Sequence, residues 1–254
     1  MNTNLTTCKN CDNAFDGNFC NQCGQKSRTN RISFGYILDE IQNLVFQVDK
    51  GFFYTLKKLS LYPGNAIRYY IEGKRVNYFK PTSFVVLLSI VYAILESFKK
   101  SDPLTILFLK GFFSTLDNNP NDSKDGFTLR VMQWLIDNYS YTVLLLIPVF
   151  SLASFLAFRK AKYNYFENLV LNMYTFGIIT FYSILPYPIL YFSKGDLADF
   201  THIGVVLILT FYTYYQFFNS INKTKRILNT FVTYVLFILF SAILSFAIVG
   251  LTIQ

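Results

Sequence analysis

Five stretches of this chain, 82–98, 139–158, 168–192, 202–218 and 227–253, hold a single charged side chain between them, Glu96. A hydrocarbon layer of about 30 Å takes about 20 residues of helix, and a helix is one of the few backbone forms that satisfies its own polar groups there. The pattern therefore predicts an all-α polytopic membrane protein with about five transmembrane helices. The first stretch is short and is entered through Pro81, which suits a first helical turn. The third is interrupted at Pro186 and Pro188, and the fifth is long enough to tilt. An apolar content of 52%, with 28 Phe and 19 Tyr, is too high for an ordinary soluble domain of this length.

The basic residues give the stretches a direction. Eleven Lys and Arg precede residue 82, Arg159, Lys160 and Lys162 follow the second stretch, and Lys223, Lys225 and Arg226 follow the fourth. These three regions are expected on the cytoplasmic face, with the C-terminus outside. Lys194, Asp196 and Asp199 then fall outside. The loop 99–138 goes there by alternation, and its apolar part, 104–116, is expected to be interfacial or re-entrant because Lys110 and Gly111 interrupt it. No apolar segment of the signal-peptide kind comes early, so the first stretch is expected to act as the targeting signal. The net charge of +8 is read as cytoplasmic loops rather than as a nucleic-acid footprint.

All four cysteines lie in two C-x2-C pairs, Cys8/Cys11 and Cys20/Cys23. Two such pairs supply four thiolates to one tetrahedral ion, so residues 1–30 are expected to form a ribbon holding a structural Zn2+. Gly24 suits the turn after the second pair, and Gly17–Asn18 suits a hairpin turn joining the two pairs. Lys9, Lys26 and Arg28 can offset the thiolate charge. The basic flanks favour a reducing cytoplasm over two disulfides. Four thiolates leave no open coordination position, which argues against a catalytic role.

Residues 31–81 form a basic, amphipathic collar. Ser33 is a plausible N-cap for a helix in which Ile37, Leu38, Ile41, Leu44, Val45 and Val48 share a face. After Gly51, Phe52, Phe53, Leu56 and Leu59 are expected to form a second apolar stripe beside Lys57 and Lys58. Pro63-Gly64 marks a turn, and a short helix is expected over 65–72. Such helices lie in the headgroup layer or against the cytoplasmic ends of the spans. Arg68, Lys74, Arg75 and Lys80 are candidates for contact with anionic lipid or RNA phosphates.

Polar groups at membrane depth are candidates for function. Glu96, Glu167, Asn168 and Asn172 are the side chains of this kind, and Pro186 and Pro188 free backbone carbonyls; together they are candidates for a conduit. Capping and interhelical hydrogen bonding are the structural reading of the Glu167 cluster, and a packing kink that of the prolines. His202 is the sole histidine, which excludes two-histidine metal centres within one chain, and the nearest upstream Arg is Arg159. No phosphate-binding glycine motif is present. The chain is expected not to be an enzyme.

The runs "DGNFCNQCGQK" and "YPGNAIRYYIEGKRVNYFKPTSF", followed by apolar spans, resemble a bacterial family of uncharacterised zinc-ribbon membrane proteins. That resemblance implies the same architecture in a bacterial inner membrane. In size, span count and lack of an enzyme motif the chain is also similar to the small membrane accessory proteins of type VI-B CRISPR systems. This second resemblance implies antiviral defence through regulation of an RNA-guided nuclease. The expected function is thus a membrane accessory protein whose cytoplasmic ribbon binds a protein partner. The alternative is a homo-oligomeric pore or transporter.

Overall fold

Each C-x2-C pair reverses the chain, so the residues on either side of it pair with one another. In the computed structural model, which describes residues 5–27, 29, 31–37, 51–96, 139–186 and 197–252, β1 (Thr6–Thr7) runs antiparallel to β2 (Ala14–Phe15) across the first pair. A bridge between Phe19 and Lys26 does the same across the second. The hairpins therefore enclose the two pairs, in place of the single expected hairpin between them; the cysteine loops are themselves the tight turns. Gly17, with φ +104°, lies in the bend that links them.

Seven α-helices follow among the described residues: α1 (Gly51–Leu61), α2 (Pro63–Ile71), α3 (Pro81–Glu96), α4 (Tyr139–Ala157), α5 (Tyr165–Ile184), α6 (Leu197–Phe217) and α7 (Lys223–Thr252). Pro63 and Pro81 each open a helix, where the missing N–H costs nothing. Asn164 caps α5 in a capping box: its side chain accepts from the Glu167 N–H at 2.8 Å while the Glu167 carboxylate accepts from the Asn164 N–H at 2.7 Å. The α6 end is closed from outside by Arg226. Its guanidinium donates to the carbonyls of Ile221, Tyr215 and Asn219 at 2.5, 2.8 and 2.7 Å and lies over the Tyr215 ring.

The core gathers on α5, which packs against α1, α2, α3, α4 and α6. Val170, Leu171, Tyr174 and Ile178 of this helix are buried. Tyr70, Tyr174, Phe84, Phe52 and Phe79 form one ring cluster at its side. Phe150, Tyr214, Phe158 and Phe218 form another, in which Phe158 and Phe218 stack at 3.7 Å. Gly177 leaves room for α3: a Cβ there would lie 2.5 Å from the Phe84 ring.

All five apolar stretches read from the sequence are helical over most of their length. Among the described residues, one helical stretch, Lys223–Leu244 with 22 residues, is long and apolar enough to cross a membrane, and only 11% of its most apolar window is buried. Its outer face shows Ile227, Phe231, Val235, Ile238 and Leu239. The apolar stretches Pro81–Leu95, Leu144–Ala157 and Ile203–Phe217 are shorter, and they too leave Ile90, Leu145 and Ile208 outward. The third stretch ends as a helix at Ile184, two residues before Pro186, which has no N–H to donate. Pro188 and residues 104–116 lie outside the described residues.

The apolar stripe of α1 departs from its expected pattern at one position. Phe52, Leu56 and Leu59 face the bundle, but Phe53 points away and is 74% exposed. Neighbouring helical residues are about 100° apart, so Phe52 and Phe53 cannot both face one seam. The short helix spans Pro63–Ile71 rather than 65–72, because Pro63 starts it. The Ile37 N–H bonds to the Ser33 carbonyl at 3.2 Å, so a helical turn follows Ser33, and residues 38–50 lie outside the described residues.

Candidate metal centre and its seat on the bundle

The two cysteine loops are built alike. Cys8 N–H donates to the Asn13 carbonyl and Asp12 N–H to the Cys8 carbonyl; Cys20 N–H donates to the Gln25 carbonyl and Gly24 N–H to the Cys20 carbonyl. Each loop ends on a left-handed residue, Asp12 at φ +59° and Gly24 at φ +74°. The repeated geometry aims all four thiols at one point. Cys8 and Cys23 sulfurs are 3.5 Å apart, those of Cys11 and Cys20 are 3.7 Å apart, and all four lie within 4.8 Å of one another. Tetrahedral thiolate ligands at about 2.3 Å from an ion stand about 3.8 Å from each other, so this set could hold a metal ion.

The electrostatics point the same way. At Cys11 the Asn13 backbone N–H pulls the thiol down, but desolvation and the sulfurs of Cys23, Cys20 and Cys8 outweigh it and push the pKa up to about 12. At Cys20 desolvation pushes up, and the backbone N–H groups of Cys23 and Gln22 with the sulfurs of Cys11 and Cys8 bring it down to about 6. Four crowded thiols cannot all ionise together unless a cation takes up their charge. Asn10 N–H lies 3.5 Å from Cys8 Sγ, and the Asn13 amide reaches Cys20 Sγ at 3.9 Å and Asn21 Oδ1 at 2.8 Å. Lys9 donates to the Thr29 carbonyl at 3.2 Å.

The ribbon sits on the turn between α2 and α3. Gln25 Oε1 accepts from the Arg75 backbone N–H at 3.3 Å. Gly73, at φ +112°, fits against Thr29 and Lys9; a Cβ there would lie 2.9 Å from Thr29 Oγ1. The Arg75 guanidinium spreads over the Tyr36 and Tyr70 rings at 4.7 and 5.5 Å, and its Nε donates to the Tyr70 carbonyl. The two tyrosine hydroxyls meet at 2.6 Å. The linker is fastened again at α5. Arg31 donates to both Glu167 oxygens and to the Lys162 carbonyl, and the Asn164 amide donates to the Ile32 carbonyl at 3.0 Å. The hydrogen bonds that Arg31 donates to Glu167, and then the carboxylate's charge, hold the guanidinium above its ordinary range.

The remaining candidates divide by surroundings. Asn168 and Asn172 meet Ser151, Ser154 and Tyr214 in a buried polar seam between α4, α5 and α6. Asn172 Nδ2 donates to both serine hydroxyls at 3.1 Å, Ser154 donates to Asn168 Oδ1 at 3.2 Å, and Tyr214 donates to Asn172 Oδ1 at 2.7 Å. Glu167 is buried at the cap described above. Glu96 is the last residue of α3, and Pro186 follows the end of α5. Arg68 donates to Asn65 Oδ1 and to the Gln216 carbonyl, joining α2 to α6. Lys74 lies over the Tyr69 ring at 5.0 Å, and the Lys80 carbonyl accepts from Phe84 N–H. His202 stands in the first part of α6. Arg31, Ser151, Ser154 and Tyr214 carry the attachments that sequence reasoning missed; the one signal for them was the polar cluster at the start of the third stretch.

Residues 49–93 match the model of a family described as "Protein of unknown function (DUF3667)". That segment comprises α1, α2, the turn that seats the ribbon and most of α3. No curated protein and no solved structure matches the chain.

Proposed function

We propose that the chain is a non-enzymatic accessory or regulatory protein of the bacterial inner membrane. In this reading five helices, α3 to α7, span the bilayer with the C-terminus outside, and a zinc-holding ribbon stands on their cytoplasmic ends to bind a protein partner. The observation that carries the reading is the way the ribbon is held. Its four thiols are turned inward as a closed set, while Leu5 and Phe19 are 62% and 57% exposed on a unit tied to the bundle at both Arg75 and Glu167. A closed tetrathiolate has no place for a substrate, whereas a rigidly seated unit with exposed apolar side chains suits recognition. The outward apolar faces of α3, α4, α6 and α7 support the spans, and the basic turns around Arg159 and Lys223 support the direction. Zinc is favoured because thiolates in a tetrahedron suit it and a reducing cytoplasm leaves them free.

The test pairs three measurements on the full chain and on a Cys20→Ser/Cys23→Ser variant. Elemental analysis should give one zinc per chain, lost in the variant. Carbonate extraction should leave both in the membrane fraction. Crosslinked pull-down from the native host should recover a partner with the parent chain and lose it with the variant. An RNA-guided ribonuclease is the partner class that the resemblance suggests, and it should be probed by name. Equal recovery by both chains would refute the role of the ribbon, and iron in place of zinc would refute the metal assignment. The pore reading makes a separate demand: liposomes carrying the protein should leak ions. The side chains of the seam are bonded to one another, which favours packing over conduction.

A further inference from the structure

The outward face of α1 has a composition of its own. Phe53, Lys57 and Leu61 follow one another at four-residue spacing, with Tyr54 and Lys58 alongside, and all are exposed. The opposite face is fully used: Thr55 Oγ1 accepts from Phe79 N–H at 2.7 Å, and Phe52 packs on Phe79 and Phe84. The Phe53 ring meets the edge of the Phe52 ring at 5.5 Å and is otherwise turned outward. The helix also contains no acidic residue. Its far end joins the apolar outer face of α6, because the Tyr212 hydroxyl donates to the Leu61 carbonyl at 3.2 Å, with Ile208 one turn away and 69% exposed. Tyr62, 58% exposed, continues the strip.

We infer that α1 is an interfacial helix, with Phe53 and Leu61 seated at the boundary of the acyl chains and Lys57 and Lys58 on anionic lipid headgroups. The inference rests on the membrane reading above and moves the lipid contact away from Arg68 and Arg75, whose guanidinium groups are engaged by the protein. Two apolar anchors flanking a lysine pair match a boundary layer, where the alkyl stem of lysine lies along apolar surface and the ammonium reaches phosphate. Continuity with α6 places this face level with the end of a span rather than out in solvent. A free anion would account for the lysines but not for Phe53.

Two single-tryptophan reporters test it on the full chain in vesicles. Trp134, the one native tryptophan, is replaced by Phe, and Phe53→Trp or Val235→Trp is added. Val235 is exposed at mid-length of the Lys223–Leu244 stretch. Phosphatidylcholine brominated near the headgroup should quench Phe53→Trp best, and lipid brominated deep in the chain should quench Val235→Trp best. With brominated phosphatidylglycerol the Phe53→Trp quenching should rise several-fold, and Lys57→Glu/Lys58→Glu should abolish that preference. Quenching of Val235→Trp without quenching of Phe53→Trp overturns the interfacial helix and leaves the span standing; the face of α1 would then lie in water or under another protein surface. Absence of both signals overturns both readings.

Discussion

Arg31 grips both carboxylate oxygens of Glu167, at 2.6 and 2.8 Å, across 136 positions of sequence. The pair is lopsided: the arginine side chain is 60% exposed and the glutamate 5%. Losing Arg31 strips a buried carboxylate of its strongest donors, whereas losing Glu167 also removes half of a capping box. Arg31→Ala should therefore cost about 1–2 kcal/mol, held down by solvent around the guanidinium. Glu167→Ala should cost about 1 kcal/mol more. Melting in detergent measures both, and limited proteolysis should show earlier cutting between the ribbon and α1. Unchanged cutting in Arg31→Ala would mean that the Gln25 and Gly73 contacts, with the Asn164–Ile32 bond, suffice to hold the ribbon.

Metal uptake should release more protons in acid than at neutral pH. Cys11, pushed up to about 12, keeps its proton through the neutral range and must surrender it to a metal at any working pH. Cys20, brought down to about 6, is already ionised at neutral pH and takes up its proton as the pH falls through that value. Calorimetric titration of the chelator-stripped protein in buffers of different ionisation enthalpy counts the protons. A count that stays level across about pH 6 would contradict the depressed Cys20 thiol.

Gly64 should resist enlargement. A Cβ there would strike the backbone of Phe217 and Thr213 and the side chain of Gln216, so α2 could not rest on α6. Gly64→Ala should cost about 1–3 kcal/mol by overpacking. Gly204, also helical but with nothing within 4 Å of its added Cβ, is the matched control, and its change to Ala should be neutral or stabilising by up to about 1 kcal/mol. Equal melting shifts for the two would remove the case for a close α2–α6 contact.

The Tyr214–Asn172 bond can be isolated by a double-mutant cycle. Tyr214→Phe leaves Asn172 Oδ1 without its phenol donor and should cost about 1–3 kcal/mol. Asn172→Leu also removes the amide donor from the two serine hydroxyls, which keep their own bonds to Ile147, Ser151 and Asn168. The coupling between the two changes should fall at about 0.6–2 kcal/mol, the range for interhelical hydrogen bonds in apolar surroundings. Strict additivity would show that the seam is not a connected network.

The cysteine cluster was legible because all four thiols belong to two short loops whose spacing alone brings their sulfurs together. The apolar helices were legible because absence of charge is a property of each segment by itself. What could not be read is pairing at a distance. Nothing local marks Arg31 for Glu167, or Tyr214 for Asn172, and the fold alone decides which phenol reaches which amide. Arg68 and Arg75 resembled free surface charges for the same reason: their partners, Gln216 and Tyr36, lie on other segments. Phe52 and Phe53 show a subtler limit. Periodicity accepts either as the core residue, and the position of α3 selects Phe52.

The fan of carbonyls around Arg226 has a mechanical consequence. A guanidinium bonded to Ile221, Tyr215 and Asn219 cannot swing with a flexible turn; its charge is pinned where the α6 helix is most negative. The α6–α7 turn, largely exposed though its side chains are, is thereby a bonded hub rather than a free tether. Where the apolar faces of these helices tilt or slide, they do so together about that hub, as the two arms of a hairpin pivot on one pin.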